Sequence, residues 1–329
     1  MLTYLNMNSN LIIGNVLLKN VSQIEINESV DELSNTAKIV IPHNYGKLDG
    51  KSILENFVVG SVVEIKLGYN GEYNTEFKGY IREIETNYPV VIHCDDESFV
   101  LRRSNFTLSY KNATLKDVLK DIIPKDIEIN CPDITLGKFQ VDKESAFQVL
   151  QRIKTSFGFY SRVKNNVLYV NLRDLANARD IKDVHRYSLS SGTINGGGIK
   201  KNDLIFKRKE DYKLKVVVAS VQSKGKKITI EIGSTDKDAS TINVSYPGNH
   251  TESELRKFGQ QIYLKRCYDG YTGSVTGFGS PHTHAGDVLE IVDRDEPDRA
   301  GRYFIEGVNI TYNEDKGFSR ENKLSYKVN

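Results

Sequence analysis

Two imidazoles and a carboxylate fall within six residues at His282-Thr283-His284 and Asp287. Side chains alternate along a strand, so such a strand carries both rings on one face. Histidine and aspartate are donors that a divalent metal accepts. Two rings in a polar turn after Gly279-Ser280-Pro281 do not close a tetrahedral site, so no metal is assigned. His43, His93, His185 and His250 stand apart from one another and read as surface or satisfied core residues. The acidic pairs Asp31-Glu32 and Asp95-Asp96 offer carboxylates for acid–base work, but both sit in turn-like sequence. Gly196-Gly197-Gly198 is a partial echo of a phosphate loop; it lacks the Gly-Lys-Ser/Thr ending and reads as a flexible loop. Neither a Gly-x-Ser-x-Gly elbow nor a His-Glu-x-x-His pair is present. No catalytic residue and no cofactor-binding residue is assigned, and the expectation is a protein that is not an enzyme.

Charge is the remaining chemical signal. The chain is close to neutral at +2, yet residues 179–227 hold thirteen Lys/Arg against five Asp/Glu. Lys200, Lys201, Lys207, Arg208 and Lys209 form its centre. One reading is a solvated face on two hairpins. The other is a basic surface turned toward nucleic acid or an acidic partner. The segment Asp287–Asp298 is mostly acidic instead.

A chain of 329 residues is long enough for two or three cored domains. With 39% hydrophobic and 27% charged residues it falls in the globular class. No apolar run approaches the roughly 20 residues of a membrane span. The N-terminus has no basic stretch ahead of its apolar residues, so a secretory signal is not expected. Cys94, Cys131 and Cys267 are odd in number and scattered, which fits a reducing compartment. Without a secretory signal, the sequons at Asn105, Asn112, Asn249 and Asn309 carry no weight. Tryptophan is absent and the 18 tyrosines suit a strand-rich protein with wide contact surfaces.

The first hundred residues alternate in the manner of strands, with Pro42 ending one and Asn70-Gly71 making a tight turn. Helical spacing appears at Ala113–Ile123, with Thr114 as cap and Pro124 as stop, and at Lys143–Phe157, closed by Gly158. Asn165-Asn166 joins a hairpin. A loose stretch follows from Leu175 to Lys201. Strands then run over Asp203–Lys209, Lys213–Ser223 and Lys226–Gly233. Thr251 and Glu254 form a capping box that opens a helix at about 251–267. Four further strands complete the chain. The expected plan is mainly β: a first β-barrel over 1–104, a small α+β insert over 105–175, and a linker with a second, related β-barrel over 176–329.

The relation between the barrels rests on an echo. Gly60-Ser-Val-Val-Glu-Ile65 returns as Gly286-Asp-Val-Leu-Glu-Ile291, and Phe77 and Tyr303 each stand 17 residues beyond their glycine. Around the second copy, Gly279-Ser-Pro-His-Thr-His-Ala-Gly286, Ala300-Gly-Arg-Tyr303-Phe-Ile-Glu-Gly-Val308 and the final Leu324-Ser-Tyr-Lys strand resemble the closing barrel of the contractile-tail baseplate hub family. This is the late control protein D group of phage tails, related to the hub part of type VI secretion spike proteins. Phe77-Lys-Gly-Tyr-Ile-Arg-Glu-Ile84, Ala113-Thr-Leu-Lys-Asp-Val-Leu119 and Ser145-Ala-Phe-Gln-Val-Leu150 resemble its first barrel and insert. The resemblance implies a homotrimer whose six barrels meet a hexameric tail tube protein, with a trimeric spike protein on the other side. It implies a structural role in a virion or phage-tail-like particle, assembled in the bacterial cytoplasm. Because the chain stops after its last barrel strand, the spike is expected as a separate protein, with no lysozyme module fused. The basic segment would then line a channel and contact the tape-measure protein or passing DNA. The competing readings are a carbohydrate- or receptor-binding β-protein, suggested by the tyrosines and the His282–His284 loop, and a cell-wall enzyme.

Overall fold

The computed structural model describes residues 6–19, 21–42, 47–48, 51–52, 55, 57–87, 89–171, 184–189, 199–221, 227–247, 250–297 and 300–328. Tyr88, His43, the triple glycine at 196–198 and the Lys224-Gly225 turn lie outside these residues. The first part of the chain forms β1 (Met7–Ile13), β2 (Val16–Leu18), β3 (Gln23–Ser29), β4 (Thr36–Ile41), the short pair β5 (Lys47–Leu48) and β6 (Lys51–Ser52), then β7 (Val62–Tyr69), β8 (Glu72–Glu85) and β9 (Val90–Asp95). A 3-10 turn over Glu97–Arg102 leads into β10 (Asn105–Thr114), helix α1 (Leu115–Ile122), β11 (Glu128–Asn130), β12 (Thr135–Ser145), helix α2 (Ala146–Phe157), β13 (Tyr160–Lys164) and β14 (Val167–Asn171). The last part holds β15 (His185–Leu189), β16 (Ile199–Lys207), β17 (Leu214–Val221), β18 (Lys227–Gly233), β19 (Ser240–Pro247), helix α3 (Glu252–Arg266), β20 (Gly270–Gly277), β21 (Val288–Asp293), β22 (Gly301–Asn313) and β23 (Gly317–Val328). Among the described residues no helix is long and apolar enough to cross a membrane.

The helix boundaries follow from local chemistry. Thr114 and Asp117 exchange cap hydrogen bonds at the start of α1, and Thr251 and Glu254 do so at α3. The second helix starts three residues later than its periodicity suggests. Ser145 and Gln148 form its capping box, and Lys143 takes a left-handed φ of 52° that no helix continues through. Gly158 ends it at φ 72°.

These elements pack round three main apolar clusters. One unites both ends of the chain, from Leu11 and Ile39 to Ile305 and Leu324. A second belongs to α1, α2 and strands β10–β14. The third is separate: β17, β18 and β19 form their own sheet, and Leu255, Phe258 and Ile262 of α3 cover it. The strands read at Lys213–Ser223 and Lys226–Gly233 therefore pair with each other and with β19, not with the large sheet.

The large sheet carries the duplication. Its main path runs β16-β20-β23-β22-β3-β4-β9-β8-β7-β1-β2, with β15 and β21 attached through β22. Two six-strand runs sit within it: β1, β3, β4, β7, β8, β9 in chain order are placed 3-4-9-8-7-1, and β15, β16, β20, β21, β22, β23 are placed 16-20-23-22-21-15. The spatial order is the same in both. One strand is reversed: β1 pairs antiparallel with β7, whereas β15 pairs parallel with β21. Among the described residues neither run closes on itself. Both belong to one sheet, because β22 pairs with β21 over its first residues and with β3 over Gly307–Asn313.

Register fixes the correspondence residue by residue. Gly60 N–H donates to Ile81 O and Ile81 N–H to Ser61 O, at 2.8 and 2.9 Å. Gly286 N–H donates to Ile305 O and Ile305 N–H to Asp287 O at the same two distances. Both glycines have positive φ, 89° and 95°, which a side chain would strain. Glu64 meets Lys78 at 3.2 Å, and Glu290 meets Arg302 at 3.7 Å. A register irregularity follows Ile81 in β8 and Ile305 in β22. So Ile81 corresponds to Ile305, and the equal 17-residue spacing of Phe77 and Tyr303 is not the structural match. The second hairpin is two residues shorter, and Tyr303 corresponds to Gly79. The two aromatics still serve one space. A shift of two keeps a side chain on the same face of a strand, and the Phe77 ring reaches to 2.8 Å of the point where a Gly79 Cβ would stand.

That point is also 2.1 Å from the carbonyl oxygen of Asp95 on β9. Gly79→Ala should therefore cost on the order of 1–3 kcal/mol through overpacking. Urea denaturation followed by circular dichroism measures it, and a variant with wild-type midpoint would show that β8 and β9 are further apart than described.

Candidate functional site at the junction of the two modules

Where the runs meet, charged side chains are buried. Along β23, Phe318, Arg320, Asn322 and Leu324 alternate inward and all are buried. Arg320 is fully buried, at 0% exposure. Its Nη2 meets Glu76 Oε2 at 2.5 Å, its Nη1 donates to Thr283 O at 2.7 Å, and its Nε donates to Gly279 O at 3.1 Å. Glu76 lies at a register irregularity between β7 and β8, where Phe77 faces Ile65 and Thr75 faces Lys66. The extra residue re-aims its side chain into the core. This ion pair ties β8 of the first module to β23 of the second.

The loop between β20 and β21 adds the histidines. His284 Nδ1 lies 3.0 and 3.2 Å from the two carboxylate oxygens of Glu28 on β3, and Ala285 N–H donates to Glu28 at 3.1 Å. His284 N–H donates to Asp287 at 2.8 Å, which shapes the loop. His282 Nε2 lies 3.3 Å from Glu76 Oε2, close enough for charge attraction but outside hydrogen-bond geometry. The two rings meet edge to face with centroids 4.5 Å apart. Thr283 Oγ1 donates to Asn322 Oδ1. His185 approaches Asp287 at 3.5 Å. Burial works against a charged Glu28, but the hydrogen bond and charge of His284, the Arg162 charge and the Ala285 N–H together hold its carboxyl below the ordinary value. The histidine pair noted in the sequence is thus turned onto two carboxylates of the other module. Among the described residues no three His, Cys, Asp or Glu side chains converge on a metal position.

The acidic pairs hold structure. Asp95 is fully buried and takes Arg82 and Arg102 at 2.8 and 2.6 Å. Asp96 caps the following 3-10 turn through Ser98 N–H and accepts Asn35 N–H at 2.8 Å. Asp31 and Glu32 lie near Lys154 of α2.

The five basic candidates fall on or just beyond β16, which has β20 on one side and no strand among the described residues on the other. Lys200 donates to Phe318 O and Ser319 Oγ at 2.8 and 2.7 Å and lies over the Phe278 ring. Lys207 donates to Arg266 O at 2.5 Å and sits against Tyr212 and Tyr268. Lys201, Arg208 and Lys209 pair with Asp203, Glu210 and Asp269 and keep exposed heads. Asp203 and Glu210 belong to the same segment and are already in its count, so of these three acids only Asp269 offsets the excess charge read from the sequence.

No protein-family model matches the chain, and no curated protein matches it. Solved structures do. The tail protein of Neisseria meningitidis MC58 aligns with a TM-score of 0.65 at 15% identity, covering 98% of this chain and 97% of that one. The 43 kDa tail protein of prophage MuSo2 from Shewanella oneidensis gives 0.62 at 14% identity, covering 98% of both chains. A component of the E. coli type VI secretion system, described as similar to the T4 tail proteins gp27 and gp5, gives 0.57 at 11% identity and covers 97% of this chain and 77% of that one. The chain has the fold of phage tail proteins and of this secretion-system component, in agreement with the resemblance read from its own residues.

Glu28 supplies a pH-dependent contribution. A lowered folded-state pKa gives stability that is present above the unfolded value of about 4.3 and is lost as pH falls through the folded value. Glu28→Gln should be destabilised by about 1–3 kcal/mol at neutral pH, and the gap to wild type should close below about pH 4. Urea midpoints from pH 3 to 7 measure it; a gap independent of pH would show that the charge is not what Glu28 contributes. Arg320→Met alone takes the guanidinium away from buried Glu76, with a loss of about 3–5 kcal/mol. Adding Glu76→Leu should recover most of that loss.

Proposed function

We propose that this chain is the structural hub of a contractile injection particle. It assembles as a homotrimer, and its two modules give three copies six related faces. Those faces meet a hexameric tail tube protein, and the opposite side holds a trimeric spike protein. The observation that carries this reading is the identical spatial order of two six-strand runs in one chain. A tail-protein fold over 98% of the chain supports it. Such a hub works by matching symmetries rather than by turning over a substrate.

The domain plan belongs to the same reading: a first module to residue 104, an insert over 105–175, and a second module over 176–329 interrupted by α3 and its small sheet. The exposed heads of Lys201, Arg208 and Lys209, with side-chain exposures of 69%, 64% and 67%, are available to an acidic partner, either the tape-measure protein or passing DNA. The particle, and so the site of the protein, is a virion or a phage-tail-like assembly.

Co-expression with the tube and spike proteins of the same particle, followed by native mass measurement, tests the proposal. The expected complex contains three copies of this chain. A strict monomer that binds neither protein at high concentration would overturn it.

A further inference from the structure

We infer that copies of this chain join head to tail, with the edge of β16 that no strand among the described residues covers pairing, in one copy, with the distal end of β8 in the next. The inference rests on the proposed homotrimer only for the number of copies. The junction itself comes from the duplication, because the contact that joins the two modules within the chain has an unfilled counterpart on each side.

Within the chain, β22 of the second module pairs with β3 of the first: Gly307 with Ser29, Val308 with Glu28, Asn309 with Asn27, and onward to Asn313 with Gln23. The counterpart of β22 is β8, with Ile81 at the place of Ile305. Residues 83–87 then stand where 307–311 stand. The counterpart of β3 is β16. Aligning β9 with β23 and β4 with β20 through their registers places Lys201, Asp203, Leu204, Ile205, Phe206 and Lys207 at the positions of Gln23, Glu25, Ile26, Asn27, Glu28 and Ser29. The neighbouring side chains agree, since Gln23 bonds Glu25 at 2.5 Å and Lys201 meets Asp203 at 2.5 Å. The pairing carried over sets Glu83 opposite Lys207, Ile84 opposite Phe206, Glu85 opposite Ile205 and Thr86 opposite Leu204. It brings an acid to a base and an aliphatic to an aromatic.

Exposure supports the match. Counting back from the shared glycines, Val58 and Val59 correspond to His284 and Ala285, and Val62 corresponds to Val288. In the second module this face is covered: Ala285 is 1% and Val288 is 6% exposed. In the first module Val58, Val59 and Val62 are 60%, 59% and 55% exposed. On β16, Ile205 is 68% exposed. Where His284 sits over Glu28 within the chain, Val58 would sit over Phe206 of the next copy. At this place the contact inside the chain is polar and its counterpart between chains is apolar. Removing the valines from water against Phe206 supplies an association free energy that the single chain lacks, whereas Ile205 takes the place of Asn27, which stays exposed in the filled junction.

The two edges differ, so the contact is heterologous and closes into a ring rather than a two-fold pair. Strand addition at a free sheet edge supplies its backbone hydrogen bonds.

A disulfide tests the register. Val30 N–H donates to Glu306 O, which makes 306 and 30 a hydrogen-bonded pair. Asn309 and Asn27 are then a non-hydrogen-bonded pair, as are Glu85 and Ile205 in the proposed junction, with Cα atoms about 4.5 Å apart and inside disulfide range. The full chain carrying Glu85→Cys and Ile205→Cys, mildly oxidised and run on a non-reducing gel, should give dimer and trimer bands and nothing larger. Each single variant should give none. Val58→Asp, at a side chain 60% exposed in the single chain, should keep its melting temperature while weakening self-association at least tenfold by analytical ultracentrifugation. A wild-type trimer with no cross-link in the double variant, a ladder that stops at two, or full assembly of Val58→Asp overturns the junction and leaves the hub reading standing. A wild type that stays monomeric with tube and spike proteins present overturns both.

Discussion

The structure depends on how one strand shares its edge. β22 gives its first residues to β21 of its own module and Gly307–Asn313 to β3 of the other, while its opposite edge runs along β23. A backbone donor row that would otherwise be left at a sheet margin is thereby filled from within the chain. The cluster of Val30, Ala285 and Phe304 closes over this point. Buried Arg320 and Glu76 then fix the approach of the modules, since an ion pair removed from water is tolerated only in one geometry with its remaining hydrogen bonds made. Here Arg320 has Gly279 O, Thr283 O and Glu76 Oε2 to receive it, while Glu76 Oε1 is buried without a hydrogen-bond partner among the described residues. The apolar core supplies most of the free energy, and this pair selects one arrangement of the two runs.

The duplicated plan also explains where the chain accepts additions. The small sheet β17–β18–β19 with α3 lies between β16 and β20, which correspond to the adjacent strands β3 and β4. The insert with α1 and α2 follows β9, the last strand of the first run. Both additions leave and re-enter at strand ends, so each can carry its own core without disturbing a ladder. Gly259 lets α3 lie close on its sheet, for a Cβ there would come within 2.6 Å of Ile232 and 2.9 Å of Val218.

Much of this was legible in the sequence, for reasons that differ by residue. Caps are local, so Thr114, Thr251 and Gly158 declared their helices, and Asn70-Gly71 its turn. The echo at Gly60 and Gly286 marked the duplication because both positions require a φ that side chains avoid. Its register was misjudged at Phe77 and Tyr303. Equal spacing along the chain ignores a hairpin two residues shorter, and a two-residue slip hides because it preserves the face. Glu28 and Arg320 left a signal, each standing in phase with inward apolar neighbours such as Ile24 and Ile26 or Phe318 and Leu324. Glu76 left none, because an irregularity breaks the alternation that would have marked it. The surface that the basic segment makes was only partly legible, because net charge along a chain ignores the acids that folding brings beside it, such as Asp269 beside Lys209.

The divergence of the two copies follows from what each must face. The contact of β22 with β3 lies within one chain and never has to release, and the side chains beside it are polar, with His284 on Glu28 and Arg320 on Glu76. Buried charges of this kind specify a partner that is always present, since separation would leave each of them unpaired. The matching surfaces at the edges that no described strand covers keep apolar side chains, Val58, Val59 and Val62 on one side and Phe206 on the other. Apolar contact carries no such demand on geometry and tolerates a partner that arrives by diffusion. In the proposed ring the same fold position holds charge where the neighbour is covalently guaranteed, His284 on Glu28, and hydrocarbon where it must be recruited, Val58 on Phe206.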